Sequence, residues 1–197
     1  QELRQEQKHG QRYSEVNMAS TYTANSGIEK IGAGEQAGTW GNTTNNNLDI
    51  LDRAISGVAA ITLSSTSKTL TTADGTLSEG GHKVLVFSGS PGGTCTVTIS
   101  PNDQDKFYVV QNGTNHTLTF TQGSGADISV VAGSKKLIFA DGAGSGAAVT
   151  DVTDALDMAS LRIGGTAVTS TAAELNILDG VTSTATELNL MDGGSSI

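Results

Sequence analysis

The side chains with metal-binding or nucleophilic chemistry are few in this sequence, and they lie far apart. The histidines are His9, His82 and His116, and the one cysteine is Cys95. A zinc site needs several such ligands at short spacings, and none of these residues has a neighbour of that kind. Cys95 lies in a run where threonine alternates with apolar residues, which indicates a small buried hydrophobe. We therefore expect no metal, no cofactor and no reactive thiol.

The acidic residues contain one partial cation motif. Asp103 and Asp105, next to Asn102, are spaced like half of a calcium-binding loop. The stretch lacks the glycine and the terminal glutamate of an EF-hand, which favours a solvated turn. Acidic residues cluster near the end of the sequence and not among the predicted strands. No carboxylate pair can therefore be nominated for glycoside hydrolysis.

A glycine-rich stretch at residues 142–146 follows an apolar run, as a phosphate-binding loop would. It has no lysine at the position that such a loop needs, and no helical period follows it. Ser145 lies between two glycines but lacks the spacing of a nucleophile elbow. The stretch is typical of a flexible linker, so we predict a hinge over residues 142–155. The sequence indicates a protein that is not an enzyme.

Composition limits the partners. The 197 residues include 20 acidic and 11 basic side chains, which gives a net charge of -9 at pH 7. Nucleic-acid binding needs clustered lysine and arginine, so we expect no nucleic-acid partner. No apolar run reaches the roughly 20 residues that span a bilayer, so we expect no membrane insertion. With 36% hydrophobic residues, the chain can bury a core, but a thin one.

A short helix is predicted within residues 18–58, after a polar extension at residues 1–17. Thr43 or Thr44 can cap its start, and Gly57 is placed to end it. Three apolar side chains recur on one face with the spacing i, i+3, i+7, which is typical of an amphipathic helix. They are Leu48, Leu51 and Ile55. A helix of about three turns is marginal alone and must pack against something.

Short β-branched runs recur about every ten residues between residues 59 and 141, separated by turn sequences rich in Gly, Asn, Asp and Pro. Apolar and polar residues alternate in several of them, as in half-buried antiparallel strands. The fold class is therefore mainly β, with a small antiparallel β-sandwich or jelly-roll-like domain. The predicted strands are 60–63, 68–72, 83–87, 94–100, 106–111, 116–121, 127–131 and 135–140.

Two copies of one 13-residue unit, residues 168–180 and 181–193, match at ten of 13 positions. Each contains a Thr-x-x-Glu capping box followed by a short helical pattern and Asp-Gly. The boxes are Thr171 with Glu174, and Thr184 with Glu187. We predict an extended piece and a two-turn helix in each copy.

Helices this short cannot be stable unless their apolar faces are covered. With only two copies in the chain, the simplest cover is the same segment of other chains. We therefore predict a C-terminal stalk over residues 156–197 that is shared between several chains. The predicted contacts are Leu175, Leu178, Leu188 and Met191.

The Thr-Ala-x-Glu-Leu-Asn-x-x-Asp-Gly-Val-Thr repeat resembles the stalk repeats of tailed-bacteriophage fibres. Gly-Thr-Trp-Gly at residues 38–41, with the Asn- and Leu-rich stretch after it, is similar to the attachment region of cyanophage tail fibres and virion structural proteins. The resemblance implies a homotrimer whose N-terminal region docks on the phage tail or an adaptor protein. It also implies a virion location, after assembly in the bacterial cytoplasm. The sequence departs from this resemblance in having four residues after the second repeat where a receptor-binding head would follow, so we expect a short fibre, a truncated one, or an attachment protein whose tip lies elsewhere.

Gly41 directly follows Trp40, and Gly38 lies two residues before it. A tryptophan in such a loop either fills its own core or anchors in a partner pocket. Our hypothesis is that Trp40, Leu48, Leu51 and Ile55 form the docking or trimer contact.

The sequence favours a trimeric tail fibre or fibre-attachment protein. A capsid decoration protein or head fibre is an alternative, because the same β unit could serve another docking surface. A module that binds host surface glycan is a further alternative. Sugar sites usually present aromatic platforms, and Tyr108 is the only tyrosine in the predicted β unit.

Overall fold

A computed structural model describes residues 18–154, 157–177, 179, 182, 183 and 187. The chain forms two compact units, residues 1–154 and residues 155–197. The predicted polar extension at residues 1–17 lies outside the described residues.

The first unit opens with a small hairpin and a helix. Strands β1 (Thr21–Tyr22) and β2 (Glu29–Lys30) pair antiparallel. Helix α1 (Trp40–Ser56) then runs for 17 residues to Gly57, where the sequence predicted its end.

Helix α1 begins earlier than the predicted caps at Thr43 and Thr44. Gln36 has a φ of +57°, which turns the chain. Its carbonyl then accepts hydrogen bonds from the amides of Thr39 (2.9 Å) and Trp40 (3.0 Å). This turn starts the helix at Trp40, so Trp40 belongs to the helix and not to a loop.

All eight predicted strands are present, each within two residues of its predicted ends, and they form two packed sheets together with one further strand. The strands are β3 (Val58–Leu63), β4 (Ser67–Thr71), β5 (Val84–Gly89), β6 (Cys95–Ser100), β7 (Asp105–Asn112), β8 (Leu118–Thr121), β9 (Ile128–Val130), β10 (Lys135–Asp141) and β11 (Val149–Asp151). The five-stranded sheet has the order β11-β10-β7-β5-β3, and the four-stranded sheet has the order β4-β6-β8-β9. The prediction of a mainly β fold is confirmed.

The predicted antiparallel pairing is wrong for the first six strands. From β3 to β8 the chain alternates between the two sheets, so each strand pairs parallel with the next but one: β3 with β5, β5 with β7, β4 with β6, and β6 with β8. Strands β3 to β8 therefore form a parallel coil, in which successive strands lie in alternate sheets, and not a jelly roll. The antiparallel pairs in the two sheets are β7 with β10, β8 with β9, and β10 with β11.

The alternation of apolar and polar residues led to the wrong prediction of strand pairing for a physical reason. A period of two reports that one face of a strand is buried, and parallel sheets are usually buried on both faces. In this coil each parallel sheet packs on the other sheet with one face and leaves the second face to solvent. The pattern is therefore the same as that of an antiparallel sandwich.

The inward faces of the two sheets form one continuous core. It contains the ring pair of Phe87 and Phe120, whose centroids lie 5.7 Å apart in an edge-on arrangement. Cys95 is fully buried in the same core, as predicted. The remaining members are Ala59, Ile61, Leu63, Leu70, Leu85, Val97, Ile99, Tyr108, Val110, Leu118, Val130, Ile138, Ala140 and Val149.

The predicted hinge is instead a folded part of the sandwich up to residue 154. A Cβ atom on Gly123 or Gly125 would lie within 3 Å of the backbone at residues 144–147, so glycine allows the two loops to approach closely. The amide of Ser124 donates to the Ser145 carbonyl (2.9 Å). Beyond this contact, Val149 is buried in strand β11, so the glycines serve packing and not flexibility.

Strand β11 is also held by an ion pair. Lys136 Nζ donates to Asp151 Oδ2 at 2.7 Å. The Thr153 hydroxyl (2.6 Å) and amide (2.9 Å) donate to the other oxygen, Oδ1. The hydrogen bond from Lys136, followed by those from Thr153, lowers the pKa of Asp151 to about 2.

The second unit contains a small hairpin and a short helix in its described residues. Strands β12 (Arg162–Ile163) and β13 (Thr166–Ala167) pair antiparallel across Gly164 and Gly165. Both glycines have positive φ, as a two-residue hairpin turn of this type requires. Helix α2 (Ala172–Ile177) lies in the first repeat copy.

Candidate functional site

One face of α1 presents apolar side chains to solvent. The predicted residues Leu48, Leu51 and Ile55 do lie on that face, and with Trp40 they are called the α1 stripe below. Trp40 precedes Leu51 by about three turns, which places it within roughly 20° of the same helix side. The exposed fractions are 62% for Trp40, 57% for Leu48, 39% for Leu51 and 70% for Ile55. The structure therefore brings the predicted docking residues together.

The side of α1 next to the stripe is fixed to the rest of the first unit. Ile50 is the buried residue of the helix. Asn47 forms two hydrogen bonds to one residue of β2, accepting from the Glu29 amide (2.9 Å) and donating to the Glu29 carbonyl (2.8 Å). Asn46 donates to the carbonyl of Gly75 (2.7 Å). These contacts set the rotation of the helix, so the stripe points away from the sandwich.

The two anchoring asparagines were missed by the sequence analysis. Asparagine is a poor helix former, because its side chain competes for backbone hydrogen bonds. Three consecutive asparagines inside a helical pattern, residues 45–47, are therefore a signal that the side chains have specific partners.

The helix joins the sandwich without a linker. The carbonyl of Arg53 accepts hydrogen bonds from the amides of Gly57 and Lys83, both at 3.0 Å. A Cβ on Gly57 would lie 2.6 Å from the Cα of Arg53. The φ of Gly57 is -67°, which any residue can adopt. Glycine is therefore required here by the close approach to Arg53 and not by the backbone conformation. Strand β3 starts at the next residue, which ties the stripe rigidly to the sheet.

Trp40 does not fill the core of the described chain. It is mostly exposed at the first residue of α1. The role of filling its own core is therefore excluded within the described residues, and the anchor in a partner pocket stays a prediction.

The first repeat copy forms the predicted capping box. Glu174 Oε2 accepts from the amide and the hydroxyl of Thr171, at 2.7 and 2.8 Å. The Thr171 hydroxyl in turn accepts from the Glu174 amide at 3.2 Å. These bonds, first the one from the Thr171 amide, lower the pKa of the Glu174 carboxyl.

The predicted stalk contacts can be located only in part. Leu175 is exposed on α2. Leu178, Leu188 and Met191 lie outside the described residues. Within the described part, the short helix has the uncovered apolar side chain that the sequence analysis expected.

A small cavity of about 140 Å³ lies between α1, the first hairpin and the sandwich, next to Ile50. Lys106 lines it and donates from Nζ to the carbonyl of Asn25. Burial lowers the pKa of Lys106 to about 8, opposed by the nearby Asp105 carboxylate. Tyr108 donates its hydroxyl to the carbonyl of Gly80 at 2.7 Å, and burial raises its pKa. Tyr108 therefore offers no exposed platform for a sugar ring.

The described residues contain no cluster of three or more His, Cys, Asp or Glu side chains that could hold a metal ion. Burial raises the pKa of the Cys95 thiol, which opposes thiolate chemistry. His82 contacts the carbonyl of Glu79 through Nδ1 at 2.9 Å. His9 lies outside the described residues. No described helix has the length and apolar character that a membrane-spanning helix needs.

Comparison of the chain with protein-family models, with curated proteins and with solved structures finds no match.

Proposed function

We propose that this chain is a non-enzymatic structural component of a tailed-phage virion. In this proposal it is a trimeric tail fibre or fibre-attachment protein, which docks to the tail or an adaptor protein through its N-terminal region and projects toward the host. The observation that carries the proposal is the α1 stripe. An apolar stripe that the protein's own core leaves uncovered is typical of an interaction surface.

Self-association fits the chemistry of the stripe. Around a symmetry axis each side chain meets its own copy, so like charges near the axis would repel. The first half of α1, through Asn47, carries no charged residue, and the stripe itself is apolar. Leucine and isoleucine at these spacings are side chains that parallel helices pack between them.

The repeat supports the same proposal independently. The capping box in the first copy stabilises the start of α2, yet Leu175 remains exposed on it. A six-residue helix with an uncovered leucine is stable only with further contacts. Neighbouring copies of the repeat would supply them.

Mass measurement in solution tests the proposal. We expect the full chain to have the mass of a trimer, and a variant with Leu48, Leu51 and Ile55 all changed to Ser to weaken association at least about thirtyfold, the size of a hot-spot loss. The matched control is Val131→Ser, a change of an exposed apolar side chain outside the stripe. A wild-type monomer, or equal weakening by the control, would contradict the trimer contact.

Incorporation into phage particles tests the proposed docking of the N-terminal region to the tail or an adaptor protein. Trp40→Ala should leave the sandwich folded, because the side chain is outside the core, and should reduce incorporation into phage particles. Unchanged incorporation would remove Trp40 from the docking surface. Imaging of the intact particle distinguishes a tail position from the capsid position of a decoration protein.

A further inference from the structure

The five-stranded sheet has apolar side chains on its outward side as well as on its core side. Outward residues alternate with core residues along each strand. Val58 is 59% exposed, and the rings of Phe107 and Phe139 are 37% and 38% exposed. The surface is called the outer apolar face below, and its members are Val58, Val84, Phe107, Val109, Leu137 and Phe139.

We infer that the outer apolar face packs against a second copy of this chain. The inference rests on the self-association in the proposed function and names a further surface for it. Strand register makes the surface continuous. Val58 lies opposite Val84, Val84 lies opposite Val109, and Val109 lies opposite Leu137, so one apolar row crosses four strands. The two rings of the face form a second row, because they are paired on β7 and β10.

The four-stranded sheet has a matching outward row with different chemistry. Ser67, Thr96, Thr119 and Ser129 lie opposite one another across its four strands. Threonine and valine have similar shapes and both favour strands, so strand formation does not require valine on either sheet. The chain therefore has hydroxyl groups, which suit contact with water, on one outward face and apolar side chains on the other. Apolar side chains on a broad outward face are typical of an interaction surface.

The charged side chains near the outer apolar face lie at its ends. Asp105 and Asp141 are paired beyond the two rings, and Lys135 begins β10 at the other end. Lys83 Nζ lies 4.2 Å from the centroid of the Phe107 ring. An uncharged centre with a charged rim is typical of contacts between proteins. A sugar would need hydrogen-bonding side chains within the face, and its six members have none.

Position and size favour a second copy as the partner. Val58 begins β3 three residues after Ile55, so the face and the α1 stripe meet within about 11 Å. The stripe covers about 250 Å², because α1 is about 25 Å long and about 10 Å wide. The face with its rim adds about 400 Å², from strands about 4.8 Å apart and about 20 Å long. Only together do they exceed the roughly 600 Å² per partner that a stable interface buries.

Two opposite exchanges of valine and threonine test the inference, with the mass of the full chain measured over a range of concentrations. Val84→Thr combined with Val109→Thr places two hydroxyl groups in the face and should weaken association at least about thirtyfold. The matched control is Thr96→Val combined with Thr119→Val, at paired positions of the other sheet, and it should change association by less than about twofold. Equal melting temperatures of the dissociated chains would show that both variants fold.

Oxidation by hydroxyl radicals provides a second measurement, on the unmodified chain. Phe107 and Phe139 should lose most of their oxidation when the chain is concentrated enough to associate, because the partner excludes water from the face. Leu77 is the reference, since it is 37% exposed on a loop outside the face. Its oxidation should stay the same.

The outcomes separate this inference from the proposed function. An oligomer that the valine-to-threonine variant leaves intact would overturn the inference alone, and so would equal weakening by the control. If that intact variant were also lost from phage particles, the face would belong to another virion protein. A wild-type monomer at every concentration would contradict both the inference and the proposed trimer. A dimer that the variant dissociates would support the inference and contradict the trimer.

Discussion

The sandwich core and the α1 stripe use similar side chains with opposite results. Leu85 and Phe120 are fully buried between the sheets, whereas Leu48 and Ile55 remain more than half exposed on the helix. The core is complete within one chain. The stripe is held in place by Asn46, Asn47 and Ile50, yet nothing among the described residues covers it. The difference teaches that one part of this chain is covered by its own fold, whereas the other is covered only in the proposed assembly.

The largest effect is expected in the core. Phe120→Ala removes a fully buried ring packed on Phe87 and should lower the free energy of unfolding by about 3–5 kcal/mol. The control is Phe139→Ala on β10, where the ring is 38% exposed, with an expected loss of about 1 kcal/mol. Denaturant unfolding at one protein concentration measures both. Equal losses would mean that the inward and outward faces of the sandwich do not differ as described.

The next effect separates the two faces of α1. Ile50→Ala should lower the free energy of unfolding by about 2–4 kcal/mol, because Ile50 is buried on the inner face. Leu48→Ala on the stripe should change it by about 0.5 kcal/mol or less in dilute solution and should instead weaken association. A large loss of unfolding free energy for Leu48→Ala in the monomer would show that the stripe packs within its own chain.

A pH effect should come from Lys106, one of the charged residues that line the small cavity beneath α1. Its pKa is lowered from 10.5 to about 8, so the unfolded chain binds more protons between these values. The free energy of unfolding should therefore rise with pH from about 8 to 10.5, by roughly 1–2 kcal/mol after allowance for solvent. Unfolding curves across this range measure the slope.

Two lysine variants check the source of that slope. Lys106→Met should remove it, and Lys135→Met, at an exposed position on β10, should keep it. If the Lys106 variant retains the slope, another group is responsible.

The smallest effect is expected at the repeat. Thr171→Ala removes the capping box and should destabilise α2 by about 1 kcal/mol. Chemical shifts of residues 172–177 measure the helix content. Thr169→Ala, two residues earlier and outside the box, is the control, and an equal loss there would show that the cap does not stabilise α2.

Several elements could be predicted from the sequence because they depend on neighbours in the chain. The strands follow from alternation, the stripe from the spacing of Leu48, Leu51 and Ile55, and the cap from Thr171 and Glu174. Each rests on local sterics or on which face of one element is apolar. The end of α1 at Gly57 was also correctly predicted, although the reason is close approach to Arg53 and not a left-handed turn.

Other features depended on residues distant in sequence. Alternation cannot distinguish a parallel coil from an antiparallel sandwich, because both bury one face of each strand. The glycines at residues 142–146 were predicted to form a flexible linker, because the sequence does not show that this stretch packs against Gly123 and Gly125. Asp103 appeared to belong with Asp105, but the register of β4 and β6 brings it to Asp74.

The sequence by itself determined where eight strands of the sandwich and the helical segments lie and which of their faces are apolar, since both are set by short-range periodicity. Only the tertiary structure decided how the strands pair, which apolar face remains uncovered and which acidic residues share a cavity. Those outcomes depend on where each connection carries the chain, and residue spacing along one element does not encode that path.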